Sequence, residues 1–284
     1  MRSGIGLPGL AALASAAMVV SSSLAPARPA PVRTPHQHRT ADIRDRRVDG
    51  SFESTNWSGY AVTGSNFTQV TGSWIVPAST CAAGSSAEYA AFWIGIDGWT
   101  SNSVEQTGTD SDCSNGTPSY YAWYEFYPQA SYYAGNLTNL KPGDVMTASV
   151  TYNPAKNQFT ATITDTTSRA TFSTTYNPNR HNTAARTSAE WIAEAPSASA
   201  GRRVKVLPLA DFNVIKFGPD FSQAANTDTA TVGTGSPGSI GSFGANVDSS
   251  TMVSDGSTSV PMATPSPLTS DGTSFYITWN SVGP

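Results

Sequence analysis

From residue 51 onward, most apolar runs alternate with polar positions at a period of two. "VMTASVTY" sets Met146, Ala148, Val150 and Tyr152 on one face, and "QFTATITD" sets Phe159, Ala161 and Ile163 against a threonine face. Such alternation predicts half-buried strands. Further strand candidates are "GYAVTG", "VTGSWIVP", "EYAAFWIGI", "SYYAWYEFYP", "DFNVIKFG" and "SFYITWN". Turn signals separate several of them: "KPGD" at 141–144, "YNPAKN" at 152–157 and "SDGTS" at 270–274. Sustained helical periodicity is absent. The pattern predicts an all-β domain, a two-sheet sandwich or jelly roll whose concave face would hold a ligand. The Gly/Ser-rich stretch at 231–246 reads as a loop. Its "GTGSPG" lacks the strand-then-helix context of a dinucleotide site.

The first fifty residues break this pattern. Residues 1–27 combine Arg2, the apolar run "GLAALASAAMVV" and a small-residue "APA", which reads as a signal peptide and predicts a secreted, extracellular protein with no membrane association after its removal. Residues 28–50 hold six arginines and three aspartates, with almost no large apolar side chains to make a core. We read 28–52 as a basic pro-segment or linker and 53–284 as the main domain. From residue 51 there are nine Lys/Arg and seventeen Asp/Glu, so leader and domain carry opposite charge. The leader is therefore expected to act as the domain's own inhibitor at neutral pH and to let go in acid. An acidic domain is no partner for nucleic acid, and no apolar interface pattern argues for more than a monomer. The only cysteines, Cys81 and Cys113, are expected to pair in an exported chain.

The residue inventory excludes several chemistries. After residue 50 the single histidine is His181, in a polar "NPNRHNT" run, and no G-x-S-x-G elbow accompanies it, which argues against a Ser-His-Asp triad. H-E-x-x-H is absent. Asp110 and Asp112 in "GTDSDCSNG" lack EF-hand spacing and read as a polar loop tied down by Cys113. The Asp255 and Asp271 Asp-Gly pairs read as turns. No metal and no cofactor are expected. Carboxylates and amides remain, in an acidic domain suited to low pH.

"SAEWIAEAP", residues 188–196, carries Glu190 and Glu194. In a strand they share a face roughly 13 Å apart; in a helix they would lie about 6 Å apart. Glycoside hydrolysis uses carboxyl groups about 5 to 9.5 Å apart, so as strand residues these two are not partners. Glu125 in "YAWYEFYP" could still pair with Glu194 across a concave sheet.

Seven blocks in order, "NWSGYAV" (56–62), "GSWIVP" (72–77), "FWIGIDGW" (92–99), "VEQTGTD" (104–110), "YAWYEFYP" (121–128), "GDVMTASVT" (143–151) and "SAEWIAEAP" (188–196), resemble the glutamic peptidases, the eqolisin family of acid endopeptidases. The resemblance implies a concanavalin-like β-sandwich of two antiparallel seven-stranded sheets and a catalytic Gln/Glu dyad acting on polypeptide substrates. The family's Gln falls on Gln106 and its Glu on Glu194, which leaves Glu190 without a catalytic role. Trp93, Asp97, Gly98 and Glu125 match blocks that border the substrate groove. Two other readings stay open: a jelly-roll glycoside hydrolase using Glu125 and Glu194, and a non-catalytic module binding carbohydrate or peptide through tryptophans and tyrosines.

Overall fold

The computed structural model describes residues 1, 4, 30–47, 50–82, 84, 86–179, 183–200, 203–256 and 258–283. The signal peptide, apart from Met1 and Gly4, and His181 lie outside them. In chain order the strands are β1 (Ile43–Arg46), β2 (Phe52–Ser54), β3 (Trp57–Thr63), β4 (Phe67–Ile75), β5 (Ala91–Ile96), β6 (Val104–Ser114), β7 (Thr117–Tyr127), β8 (Tyr132–Tyr133), β9 (Val145–Asn153) and β10 (Gln158–Asp165). They continue as β11 (Ala170–Tyr176), β12 (Ser188–Glu194), β13 (Ser197–Ala200), β14 (Arg203–Val206), β15 (Val214–Phe217), β16 (Thr229–Val232), β17 (Gly238–Ser239), β18 (Val247–Val253), β19 (Pro261–Pro265) and β20 (Phe275–Trp279). Every strand candidate named from the sequence forms a strand.

Antiparallel pairing runs without a break through β11-β10-β9-β4-β15-β20-β19-β18-β3-β12-β5-β6-β7-β8. The ladder turns over at β18, whose first half pairs with β3 and whose last two residues, Met252 and Val253, pair with β19 across a bulge between them. It then lies on itself: β9 and β10 come against β5 and β6 without hydrogen-bonding to them. The result is a two-layer β-sandwich, as the alternation predicts.

Alternation also explains the burial. Met146, Val150, Phe159, Ala161 and Ile163 enter the core between the layers, where Trp74, Phe92, Trp191, Phe217 and Phe275 also lie. Burying a side chain of that size contributes roughly 1.5 to 3 kcal/mol. Strand β12 is paired along both edges, with β3 and β5, and buried on both faces, each of which packs into an apolar cluster. It sends Trp191 and Ala193 into this core and Ile192 to the opposite face, where a second cluster holds Trp57, Trp93, Trp99 and Trp123. That opposite face carries the candidate site.

Two expectations need correction. "GTDSDCSNG" is not a polar loop: β6 runs through Asp110 and Asp112 to Ser114, and turns at Asn115-Gly116 directly into β7. Both turn residues have positive φ, 50° and 77°, the conformation that Asn-Gly favours in a two-residue hairpin. The 231–246 stretch also carries structure, the short β17 and a 3-10 helix at Ile240–Asn246.

The expected disulfide forms between Cys81 and Cys113, 32 residues apart, and ties the segment before β5 to the end of β6. Replacing both cysteines by alanine should lower stability by roughly 3 to 4 kcal/mol on the chain-entropy account. Equilibrium denaturation of the oxidised chain and the double variant measures this.

Candidate active site

Neighbouring strands bring one face of alternating residues together. On β6 these are Gln106, Gly108 and Asp110; in register across from them on β7 lie Glu125, Trp123 and Tyr121. On the other flank Gly108 stands opposite Trp93 of β5, and Trp93 opposite Ile192 of β12. Glu194 ends β12 between Trp57 and Ala91. Gly108 is required by the close approach of β5. A Cβ there would sit 2.4 Å from Trp93 Cβ and 2.3 Å from the Phe92 carbonyl.

Gln106, Glu125, Glu194 and Trp93 are all 0% exposed. The cover is the chain's own amino-terminal segment. The Gln106 side-chain amide donates to the His38 carbonyl at 2.7 Å, and the Arg39 backbone N–H donates to Glu194 Oε1 at 3.0 Å. Trp93 Nε1 donates to the other Glu194 oxygen at 2.8 Å, and the His38 N–H donates to Glu125 Oε2 at 2.8 Å. Further along, Tyr133 N–H meets the Val32 carbonyl, Gln37 and Ser197 exchange backbone bonds, and Ala41 N–H meets the Gly98 carbonyl. Residues 43–46 then pair with β2 as β1.

Side chains of the segment fit the groove as well. The His38 ring stacks on Trp123, with centroids 3.5 Å apart and planes 8° from parallel. Its Nδ1 lies 3.7 Å from Glu194 and its Nε2 3.7 Å from Asp110. His36 hydrogen-bonds Asp110 directly through Nε2. The Tyr121 hydroxyl lies 2.9 Å from Asp110 and 2.8 Å from Asp112. Arg39 donates through Nε to the Tyr127 hydroxyl at 3.2 Å. Among the described residues, His36, His38 and Asp110 are the one group whose nitrogen and oxygen atoms could converge on a cation.

Burial sets the electrostatics. Glu194 is pushed well above the carboxylate range by desolvation, opposed by the Arg39 and Trp93 hydrogen bonds and reinforced by the charge of Glu125. Glu125 is raised in the same way. Burial would raise Asp110 too, but the charges of His38 and His36 hold it below its ordinary value. Asp112, buried beside Asp110, is pushed up to about 7. Desolvation alone would lower His36, yet Asp110 raises it. His38 is lowered by burial to about 3.

Of the other residues named from the sequence, Gly98 touches the segment through its carbonyl. Asp97 does not. Its buried carboxylate accepts the backbone N–H groups of Arg186 and Thr187 at 2.6 and 2.9 Å, and so holds the approach to β12. Glu190, nearer the other end of β12, is buried and raised by desolvation and by the nearby charges of Asp97 and Glu105. The sequence reading missed His36, His38, Asp110, Tyr121 and Trp123. The Asn-Gly turn was the available signal, since in-register hairpin pairing puts Asp110 opposite Tyr121.

An amide and a carboxyl group thus face one peptide unit of the chain's own segment on one face of a β-sandwich. Residues 55–261 match the model of the Peptidase A4 family, and the chain belongs to that family, the glutamic peptidases. It is 30% identical to aspergillopepsin-2 of Aspergillus niger over 182 residues, 58% of this chain and 62% of the relative. It is 32% identical to scytalidopepsin B of Scytalidium lignicola over 162 residues, 56% of this chain and 59% of the relative. The chain thus spans about three fifths of the length of the curated relatives it matches. The crystal structure of scytalido-glutamic peptidase with a transition state analog inhibitor superposes with a TM-score of 0.64 at 25% identity, covering 80% of this chain and 98% of that one.

The opposed shifts give docking of the segment a definite pH window. Once released, His38 returns toward 6.5 and takes up a proton that the docked ring refuses down to about 3, so docking weakens as pH falls between those values. Glu194, Glu125 and Asp112 hold protons more tightly when docked, which favours docking on acidification, but only until the ordinary carboxylate values of 4.5 and 3.8 are passed. His36, raised when docked, is protonated in both states below 6.5 and adds no slope there. Asp110, lowered when docked, adds to His38 below 3.8. The segment should therefore leave between about pH 4.5 and 3. Tryptophan fluorescence, followed from pH 7 to 3, should show the transition in wild type and move it to lower pH in His38→Phe, which keeps the stack and removes the titration. Identical transitions would contradict this assignment.

Proposed function

We propose that the chain is an exported acid endopeptidase in which Gln106 and Glu194 form the catalytic dyad. One observation carries the reading: the two side chains grip the carbonyl oxygen and the N–H of a single peptide unit, at 2.7 and 3.0 Å. With the segment gone from the groove, the burial that raises Glu194 is relieved, and as a carboxylate it takes a proton from the water that attacks the scissile carbonyl and returns it to the departing amine. Gln106 orients that water and donates its N–H to the developing oxyanion, a donor that needs no proton taken from solution. Glu125, Trp93 and Gly98 hold the substrate's backbone and orient Glu194, while Asp97 acts through the loop it anchors. A glycosidase pair of Glu125 and Glu194 would give Gln106 no part and leave the match to a peptide unit unexplained.

The basic segment at 28–52 is the domain's inhibitor in this reading, because residues 36–39 fill the groove that a substrate would need. The Cys81–Cys113 bond supports an extracellular location. Dividing the ladder between β19 and β18 groups β11, β10, β9, β4, β15, β20 and β19 in one layer and β18, β3, β12, β5, β6, β7 and β8 in the other, and we read these as the two seven-stranded sheets. The protein acts as a monomer in this account.

Gln106→Ala and Glu194→Gln should each lower hydrolysis of denatured protein at about pH 3 by on the order of a hundredfold or more. Undiminished proteolysis in Gln106→Ala would sink the dyad. Polysaccharide cleavage without proteolysis would favour the glycosidase reading instead.

A further inference from the structure

Two separate parts of the chain bring metal-ligating side chains to one buried point. The amino-terminal segment supplies His36 and His38; the end of β6 supplies Asp110 and Asp112, alternate residues on one face of the strand. One nitrogen or oxygen atom from each of His36, His38 and Asp110 lies within 4.8 Å of the others, and all three residues are buried. His38 Nε2 stands 3.7 Å from Asp110 Oδ2, and Asp112 Oδ1 stands 3.9 Å from His36 Nε2. Ligands held tetrahedrally at the usual zinc distances lie roughly 3.3 to 3.5 Å from one another. The two observed edges are only slightly longer.

The same atoms are short of partners. His38 is 0% exposed, yet neither of its ring nitrogens has a hydrogen-bond partner among the described residues. Asp110 Oδ1 and Asp112 Oδ1 are buried without one as well. Polar atoms sealed from water in this way are costly unless something binds them. The neighbours are arranged as an outer shell. Trp123 fixes the plane of the His38 ring, and the Tyr121 hydroxyl, 2.9 Å from Asp110 and 2.8 Å from Asp112, ties the two carboxyl groups together through their other oxygens. Contacts of that kind orient metal ligands.

We propose that His36, His38, Asp110 and Asp112 form a four-coordinate site for a zinc-class divalent ion, which pins the amino-terminal segment to β6. Two imidazoles with two carboxylates suit zinc and its first-row neighbours, whereas calcium and magnesium call for oxygen ligands. Entry of the ion exchanges the His36–Asp110 hydrogen bond for one metal bond to each residue. Counting histidines only after residue 50 leaves His181 alone and hides the site, because both histidine ligands come from the segment before it.

The site takes two ligands from the segment and two from the domain, so it exists only while the segment is docked. An ion that binds one state alone favours that state by the ratio of its concentration to its Kd, about a hundredfold when the ion stands at a hundred times Kd. The ligand set stands on geometry and does not involve Gln106 or Glu194. Its use as a latch on the groove rests on the reading of the segment as the domain's inhibitor.

The test takes the full chain, stripped of metal with a chelator and held at pH 7, and titrates it with Zn2+, with Mg2+ as the control. One Zn2+ per chain by calorimetry, slower hydrogen exchange at the backbone amides of residues 37–41, and no effect of Mg2+ are the expected results. His36→Ala and the nearly isosteric Asp112→Asn should each weaken Zn2+ binding tenfold or more and abolish the added protection, while His181→Ala changes neither. Full Zn2+ affinity in Asp112→Asn and His36→Ala, or loss of binding in His181→Ala, overturns the site. Tight binding that leaves exchange at residues 37–41 unaltered overturns the latch. Neither readout uses turnover, so a failure of the peptidase reading, seen as undigested protein at about pH 3, is told apart from a failure of this one.

Discussion

A carboxyl group sealed from water needs hydrogen-bond donors or a proton of its own. Glu194 sits at the end of β12, the strand with neighbours on both sides and cores on both faces, and that placement governs the rest of the site. Trp93 can supply one donor because β5 lies alongside β12, and β5 can lie that close to β6 because residue 108 is glycine. The second donor comes from the backbone of Arg39, outside the sandwich proper. The domain and the amino-terminal segment therefore share hydrogen bonds at Glu194, Gln106 and Glu125.

That sharing makes the leader more than a charge-matched cover. Its arginines pair with the domain at Tyr127 and Asp255, but the contacts around Gln106, Glu125, Glu194 and Asp110 are made by backbone groups and by two histidines. Backbone groups do not titrate, so pH reaches the interface mainly through the buried His38 and the carboxyl groups around it. His38 and the glutamates pull in opposite senses as acid is added, and the ordinary carboxylate value marks where the histidine prevails. Simple loss of attraction between opposite charges would give a broader dependence.

Much of the scaffold was legible in advance because strand alternation is a local property. Met146 to Val150 and Phe159 to Ile163 announce their faces within eight residues each. "SAEWIAEAP" was legible to the same degree: a period of two puts Glu190 and Glu194 on one face and cannot rank them. Asp110 and Asp112 were misread because a run of Asp, Ser, Asn and Gly has loop composition, while the Asn-Gly turn that extends β6 and β7 confers strand structure on it through pairing with "SYYAWY". His36 and His38 looked like members of an unstructured basic tail for a related reason. Their partners Asp110 and Trp123 lie more than seventy positions away.

The sequence by itself determined the fold class, the pairing of the only two cysteines, the opposite charges of leader and domain, and the residue types with which chemistry could be done. These depend on composition and on periods of two residues. The resemblance of the motif blocks singled out Glu194 and Gln106; tertiary structure alone decided which peptide unit lies between them, which acid is held charged and which is forced toward neutrality, and where the leader threads. Each of those depends on distances between strands far apart in the chain and on water excluded from between them, and neither is a property of any short stretch of sequence.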